Sequence, residues 1–212
     1  PISESCIQYN VGAQYEGDGR FYKAELYYKK YDRLALVEKG TVDAAEVLTS
    51  GGYGYSKGFD LFFNDRVLLK NLEYQLSYTY NIAKRKFQEY TELTTPQYAT
   101  QHNASLVLKY SIPRIGTIVG LTNRFSSGRP YHNPDLLGLM NDHVKPYNSL
   151  DLGLTFLPSK KVIIHASATN ILCRKNEFGR VNNKAILASN DHFFYIGVFI
   201  TLGKKADRKS VV

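Results

Sequence analysis

The chain has no tryptophan, one methionine and two cysteines among its 212 residues. Cys6 and Cys173 stand too far apart in sequence to read as a metal-ligand spacing, and two cysteines make no disulfide framework. No apolar run approaches the length of a membrane-spanning helix. The opening PISESC lacks both the charged start and the apolar centre of a secretory signal. Long helical periodicity is missing too, whereas 17 tyrosines and 11 phenylalanines favour strands.

Patterns that organise chemistry are equally scarce. His102, His132, His143, His165 and His192 occur singly, without an HExxH or histidine–carboxylate spacing that would collect a metal. Ser126 and Ser127 precede Gly128, but no G-x-S-x-G elbow surrounds them. The glycines of GGYGYSKG lack the lysine and hydroxyl that close a phosphate loop. No catalytic residue, cofactor-binding residue or metal ligand is therefore assigned, and neither an enzyme nor a cofactor is expected. The net charge of +8 invites a nucleic-acid reading, yet the basic residues are dispersed through turns and loops. Only KRK at Lys84 to Lys86 and KKADRK near the end form clusters, so nucleic acid is not expected as a partner.

What the chain has in quantity is alternation. In LEYQLSYTY, Leu72, Tyr74, Leu76, Tyr78 and Tyr80 alternate with Glu73, Gln75, Ser77 and Thr79, the period-two signature of a strand with two unlike faces. Nine such segments can be placed, near residues 7–15, 21–31, 53–63, 72–82, 103–110, 116–125, 149–156, 162–170 and 193–202. The sixth and the last alternate least well: Thr122 and Arg124 face away from Val119, Leu121 and Phe125, and Phe193, Tyr195 and Phe199 fall on the polar side.

Links between the segments alternate short and long. Short ones (GDGR, NDRVLLKN, SIPRI, LPSKK) share one end of an antiparallel meander, and long ones near 32–52, 83–102, 126–148 and 171–192 share the other. An outer-membrane β-barrel has this asymmetry, with strands of about nine to eleven residues. A soluble or secreted β-sandwich module whose binding loops share one end is the alternative. The fold expected is all-β, an antiparallel meander of about nine strands. An odd count cannot close a bacterial single-chain barrel, and the chain opens on Pro1 close to its first strand, so a piece of a larger wall is expected.

Several segments, taken in order, carry a family likeness: GYGYSKGFDLFFND, LEYQLSYTYNIAKRKF, HNASLVLKYSIPR, FSSGRPYHN, SLDLGLTF, ATNIL and FFYIGVFITLG. Together they resemble the C-terminal part of the β-barrel of TonB-dependent outer-membrane receptors of the Bacteroides-like type. The resemblance implies a transmembrane barrel of about 22 strands around a plug, which takes up a scarce ligand with energy delivered by a TonB complex. It places residues 1–203 in the barrel segment and 204–212 in a basic C-terminal tail. It also implies the outer membrane as location, long loops outside and the C-terminus in the periplasm. Expected partners are outer-membrane lipid, the TonB complex through an N-terminal part missing from this sequence, and an unidentified small-molecule, glycan or peptide ligand. Gly58 and Asp60 are expected toward the lumen, and Phe59, Leu61 and Phe63 toward lipid. Arg129, Tyr131 and His132 are the candidates for a ligand vestibule. Cys6 and Cys173, several strands apart, are expected to be free.

Overall fold

A computed structural model describes residues 2–39, 46–181, 184–187 and 192–202. In chain order its strands are β1 (Ser5–Gly17), β2 (Arg20–Lys39), β3 (Glu46–Leu69), β4 (Leu72–Lys86), β5 (His102–Ile112), β6 (Thr117–Ser126), β7 (Pro130–Tyr131) and β8 (Asp142–His143). There follow β9 (Tyr147–Ser159), β10 (Val162–Thr169), β11 (Glu177–Val181), β12 (Lys184–Leu187) and β13 (Phe193–Ile200). Nine of them form one antiparallel sheet in the order β1-β2-β3-β4-β5-β6-β9-β10-β13, while β7-β8 and β11-β12 are separate two-stranded hairpins. The expected basic tail, 204–212, and parts of two long links, 40–45 and 182–183 with 188–191, lie outside the described residues.

Register carries the alternation of each strand across the sheet. Val11, Leu26, Phe59 and Tyr80 form one row, and Tyr15, Tyr22, Phe63, Leu76 and Leu106 another. Further along, Leu108, Leu121, Leu152, Ala168 and Phe194 continue the same face. The result is a continuous apolar band on the outer face, bordered by tyrosines. The inner face is polar and internally bonded. Thr79 donates to Asp60 at 2.5 Å, Tyr27 and Ser56 donate to Asn81 at 3.0 and 2.7 Å, and Ser126 donates to Asn103 at 2.7 Å. Arg124 pairs with Asp151, and His165 meets Thr155 at 2.9 Å. Gly58 and Asp60 therefore share the inner face, opposite Phe59, Leu61 and Phe63.

This architecture is not the sandwich alternative. A sandwich buries one face of each sheet against another, but here a single large sheet leaves its apolar band uncovered. Among the described residues the buried hydrophobic side chains are Leu34, Leu36, Ala83, Ala99, Tyr131 and Val144, all beyond the band at the long-loop end. Leu26, Val11, Ile196 and Phe194 are 58%, 67%, 76% and 75% exposed. On β13 the inner-facing Phe193, Tyr195 and Phe199 are exposed as well, which accounts for the poor alternation of that segment.

Two links are shorter than their composition suggests. Instead of looping from residue 32 to 52, β2 and β3 pair out to Lys39↔Glu46. Register shifts at Asp32/Leu34 and Leu34/Leu36, with Arg33 at φ 61, change the side-chain parity and so conceal the strands. NDRVLLKN is strand through Leu69, with a register shift between Asp65 and Leu69. Asp65 holds that irregular stretch: its carboxylate, 1% exposed, accepts from the Tyr22 hydroxyl at 2.5 Å and from the amides of Val67 and Leu68 at 2.7 and 2.8 Å, with Arg20 at 3.2 Å. The GDGR turn reverses the chain with Asp18 at φ 51 and Gly19 at φ 75, conformations that favour Asp and Gly. Cys6 and Cys173 are free, as expected.

One glycine fixes the approach of two strands. A Cβ on Gly58 would fall on the carbonyl oxygen of Tyr80 in β4 and 2.8 Å from the Tyr27 hydroxyl. Gly58→Val forces β3 and β4 apart at mid-sheet and costs about 2–3 kcal/mol. In the full-length protein the folded, heat-modifiable gel band should be lost at a lower temperature, whereas a replacement at exposed Lys70 should leave that temperature unchanged.

Candidate ligand vestibule

Three long excursions, 87–101, 127–146 and the described part of 170–187, cover the same end of the sheet and are bonded to one another. Residues 87–101 are pinned from both sides. Gln88 exchanges backbone hydrogen bonds with Ala35 and Val37 on the extended β2, and Thr94 does so with Arg85. The Arg85 guanidinium lies 4.1 Å from the centre of the Tyr31 ring and 5.8 Å from that of Tyr98, a cation–π environment. The Glu92 carboxylate accepts from the amide of Leu139, and Thr94 donates to the Leu139 carbonyl, joining the first excursion to the second.

The second excursion is shaped by Asp142. Its carboxylate accepts from the Tyr131 hydroxyl at 2.6 Å, the Asn133 amide group at 3.0 Å and the His143 backbone at 2.7 Å. Those donors, the Tyr131 hydroxyl above all, lower its pKa from the ordinary 3.8 to about 2. Gly128 makes the fold possible, since a Cβ there would collide with the carbonyl of Val144.

The third excursion docks through the β11-β12 hairpin. Arg129 lies 5.5 Å from the centre of the Phe178 ring, and Arg180 lies 5.7 Å from that of Tyr131. Arg180 also bonds Glu177 at 3.0 Å, Lys145 reaches Glu177 at 3.9 Å, and the Tyr147 and Phe178 rings stack at 5.9 Å. Asn176 and Asn148 exchange two hydrogen bonds of 3.0 Å.

Between these excursions opens a pocket of about 240 Å³ lined by Ser126, Ser127, Arg129, Lys145, Tyr147 and Phe178, among others. A second, of about 560 Å³, shares Thr100, Ser127 and Val144 with it and extends toward the ends of β4 and β8. The smaller is lined by Arg129 and Lys145, by the Glu177 carboxylate that Lys145 reaches, by hydroxyls and by the Tyr147 and Phe178 rings, and the larger adds Lys84 and His143. Such a set of both charges, hydroxyls and aromatic faces can hold a polar ligand. Among the described residues no group of His, Cys, Asp and Glu could hold a metal.

Of the sequence candidates, Arg129 lines the smaller pocket. Tyr131 is 3% exposed and turned into the loop layer against Asp142 and Arg180. His132 is exposed and lines neither pocket. Sequence reasoning did not single out Thr100, Lys145, Tyr147 and Phe178, which line the same pocket from three different links and meet only in space.

The comparisons accord with this geometry. The family model "TonB dependent receptor-like, beta-barrel" matches residues 3–171. The chain belongs to that family. No curated protein matches it in sequence. Among solved structures, the ferric-catecholate import receptor Fiu from E. coli K12 is similar at TM-score 0.72 and 12% identity, over 92% of this chain and 27% of that one. The pyoverdine outer membrane receptor FpvA from Pseudomonas aeruginosa gives TM-score 0.72 and 13% identity, over 93% and 30%. The ferric yersiniabactin uptake receptor FyuA from Yersinia pestis gives 0.69 and 15%, over 92% and 29%. The chain thus spans less than a third of the length of these proteins. This TonB-dependent receptor-like chain has the antiparallel wall of such barrels, in a family of outer-membrane transport receptors and not of enzymes.

Because Asp142 has a folded pKa below its unfolded one, its contribution to the loop layer is present above about pH 4 and is lost as pH falls toward about 2. In the full-length receptor, exchange protection of residues 130–143 should hold at pH 5 and fall between pH 4 and pH 2. Asp142→Asn should lower protection at pH 5 and flatten that dependence; an unchanged pH profile in the variant would contradict the assignment.

Proposed function

We propose that the chain is the C-terminal part of the wall of a 22-stranded receptor, about two-fifths of its strands, for TonB-driven uptake of a scarce ligand across the outer membrane of a Bacteroides-like bacterium. The observation that carries this reading is the combination of an unbroken apolar outer band, a polar inner face and a rim on which every long excursion gathers. Only an environment with hydrocarbon outside and water inside suits both faces at once. The outer edges of β1 and β13 pair with no strand among the described residues, and open edges are not tolerated in lipid, so further strands of the parent complete the wall.

In this reading the residue 1–203 segment is barrel and 204–212 a basic tail ending in the periplasm. The long excursions near 32–52, 83–102, 126–148 and 171–192 face the cell exterior, the first partly as an extended hairpin. Energy reaches the transported ligand through the parent's N-terminal part and a TonB complex. Arg129, with Lys145 and the Tyr147–Phe178 stack, meets the ligand at the vestibule. Tyr131 supports that surface from beneath and His132 stands at its margin. Fiu is a ferric-catecholate import receptor, FyuA a ferric yersiniabactin uptake receptor and FpvA a pyoverdine receptor, and the lining of both charges, hydroxyls and aromatic rings here suits a polar small molecule, glycan or peptide.

Exposed Cys173 on the third excursion offers a direct test of orientation. In cells producing the full-length receptor with Cys6→Ser, a membrane-impermeant maleimide should label Cys173 without permeabilisation. Adding Arg114→Cys in the Pro113–Ile115 turn at the opposite rim, with Cys173→Ser, should give labelling only after the outer membrane is opened. The reverse pattern would refute the proposed topology.

A further inference from the structure

On the outer face, at the long-loop end of the apolar band, the lipid-facing positions of three adjacent strands are lysines. Register sets Lys30, Tyr55 and Lys84 in one row across β2, β3 and β4, and Tyr28, Lys57 and Ile82 in the row next to the band. With strands about 4.8 Å apart and alternate residues about 6.8 Å apart along a strand, these three side chains leave the sheet within roughly 10 Å of one another. All three lysines are exposed. Lys30 meets Asp32 at 3.1 Å, and Lys57 lies 5.9 Å from the centre of the Tyr55 ring. Among the described residues neither Lys57 nor Lys84 has a carboxylate within ion-pair distance. Directly beside this cluster the same face is hollowed into a groove of about 490 Å³, walled by Tyr9, Leu26, Tyr28, Phe59, Tyr80 and Ile82, with Lys57 at its lip.

A hollow that opens sideways from an apolar band is filled by hydrocarbon, and ammonium groups at its head require an anion. We propose that this site binds one anionic lipid of the surrounding membrane, its phosphate on Lys57 and Lys84 with Lys30 close by, and an acyl chain in the groove. A free phosphate would leave the groove unused, and a neutral lipid would leave the lysines without a counter-charge. Basic residues beside a membrane surface contribute enough attraction for each to matter. The assignment of this site to the outer leaflet rests on the orientation proposed above; the site itself does not.

The test uses the full-length receptor in nanodiscs of phosphatidylcholine containing a minor fraction of phosphatidylglycerol, with retained lipid counted by native mass spectrometry. One phosphatidylglycerol per receptor should survive release from the nanodisc and resist displacement by millimolar inorganic phosphate. Lys57→Gln/Lys84→Gln should weaken retention roughly 30-fold, about fivefold for each lysine. Lys23→Gln/Lys29→Gln, the same charge change on the inner face of β2, should leave it unchanged. Leu26→Trp, which fills the groove and keeps all three lysines, should reduce retention while the barrel stays folded by gel mobility. No selective retention, equal loss in the inner-face control, or displacement by inorganic phosphate would overturn the site. Since a nanodisc exposes both leaflets, an inverted orientation would leave these outcomes unaffected, so the two proposals fail separately.

Discussion

A backbone amide without a partner costs several kcal/mol in hydrocarbon, and the cross-strand ladder of this meander is what spares its interior strands that cost. From β2 through β10 each wall strand pairs on both sides, in continuous antiparallel register apart from a few local shifts. With the ladder complete, the side chains alone decide what each face meets. Period-two alternation then gives every strand an apolar outer edge and a polar inner one, and register joins those edges into surfaces. The wall needs no packed interior of its own: among the described residues its few buried hydrophobic side chains lie at the long-loop end, on the outer parts of β2 and β4 and in the loops above them.

Pairing also decides where function can sit. Antiparallel neighbours place successive links at opposite ends, so two-residue reversals such as Lys70-Asn71 and Lys160-Lys161 serve one rim and the long excursions the other. At the short-turn rim, Asp65 gathers a hydroxyl, two amides and a guanidinium to stabilise an irregular strand end. At the long-loop rim, Asp142 does comparable work with Tyr131, Asn133 and the backbone of His143. Each is a carboxylate surrounded by donors where the regular ladder gives out. The smaller rim pocket depends on the second, because the hairpin it closes carries Arg129 and leads on to Lys145 and Tyr147.

Much of the wall was legible in the sequence, since alternation over Leu72–Tyr80 or Ser149–Phe156 survives intact in the folded sheet. Reading failed where parity breaks. The bulged stretch around Arg33 hid the outer half of the β2-β3 hairpin, and Asp65 held as strand a segment whose composition reads as turn. The short pairs β7-β8 and β11-β12 are too brief for any periodic signal. Of the three candidates named from the sequence, Arg129 lines the smaller pocket. Lys145 and Phe178 join it because three links fold over one rim, and Tyr131 is buried because Asp142, well downstream, offers its hydroxyl an acceptor. Neither fact has a local trace in the chain.

The central claim is that one face of this sheet meets lipid and the other meets water. The most direct measurement places a spin label in turn at residues 103–108 of β5 in the full-length receptor and compares collision with oxygen and with a water-soluble nickel chelate. The account predicts an alternating profile, with labels at 104, 106 and 108 favouring oxygen and those at 103, 105 and 107 sheltered from lipid. A profile without that alternation, or with its phase inverted, would contradict it.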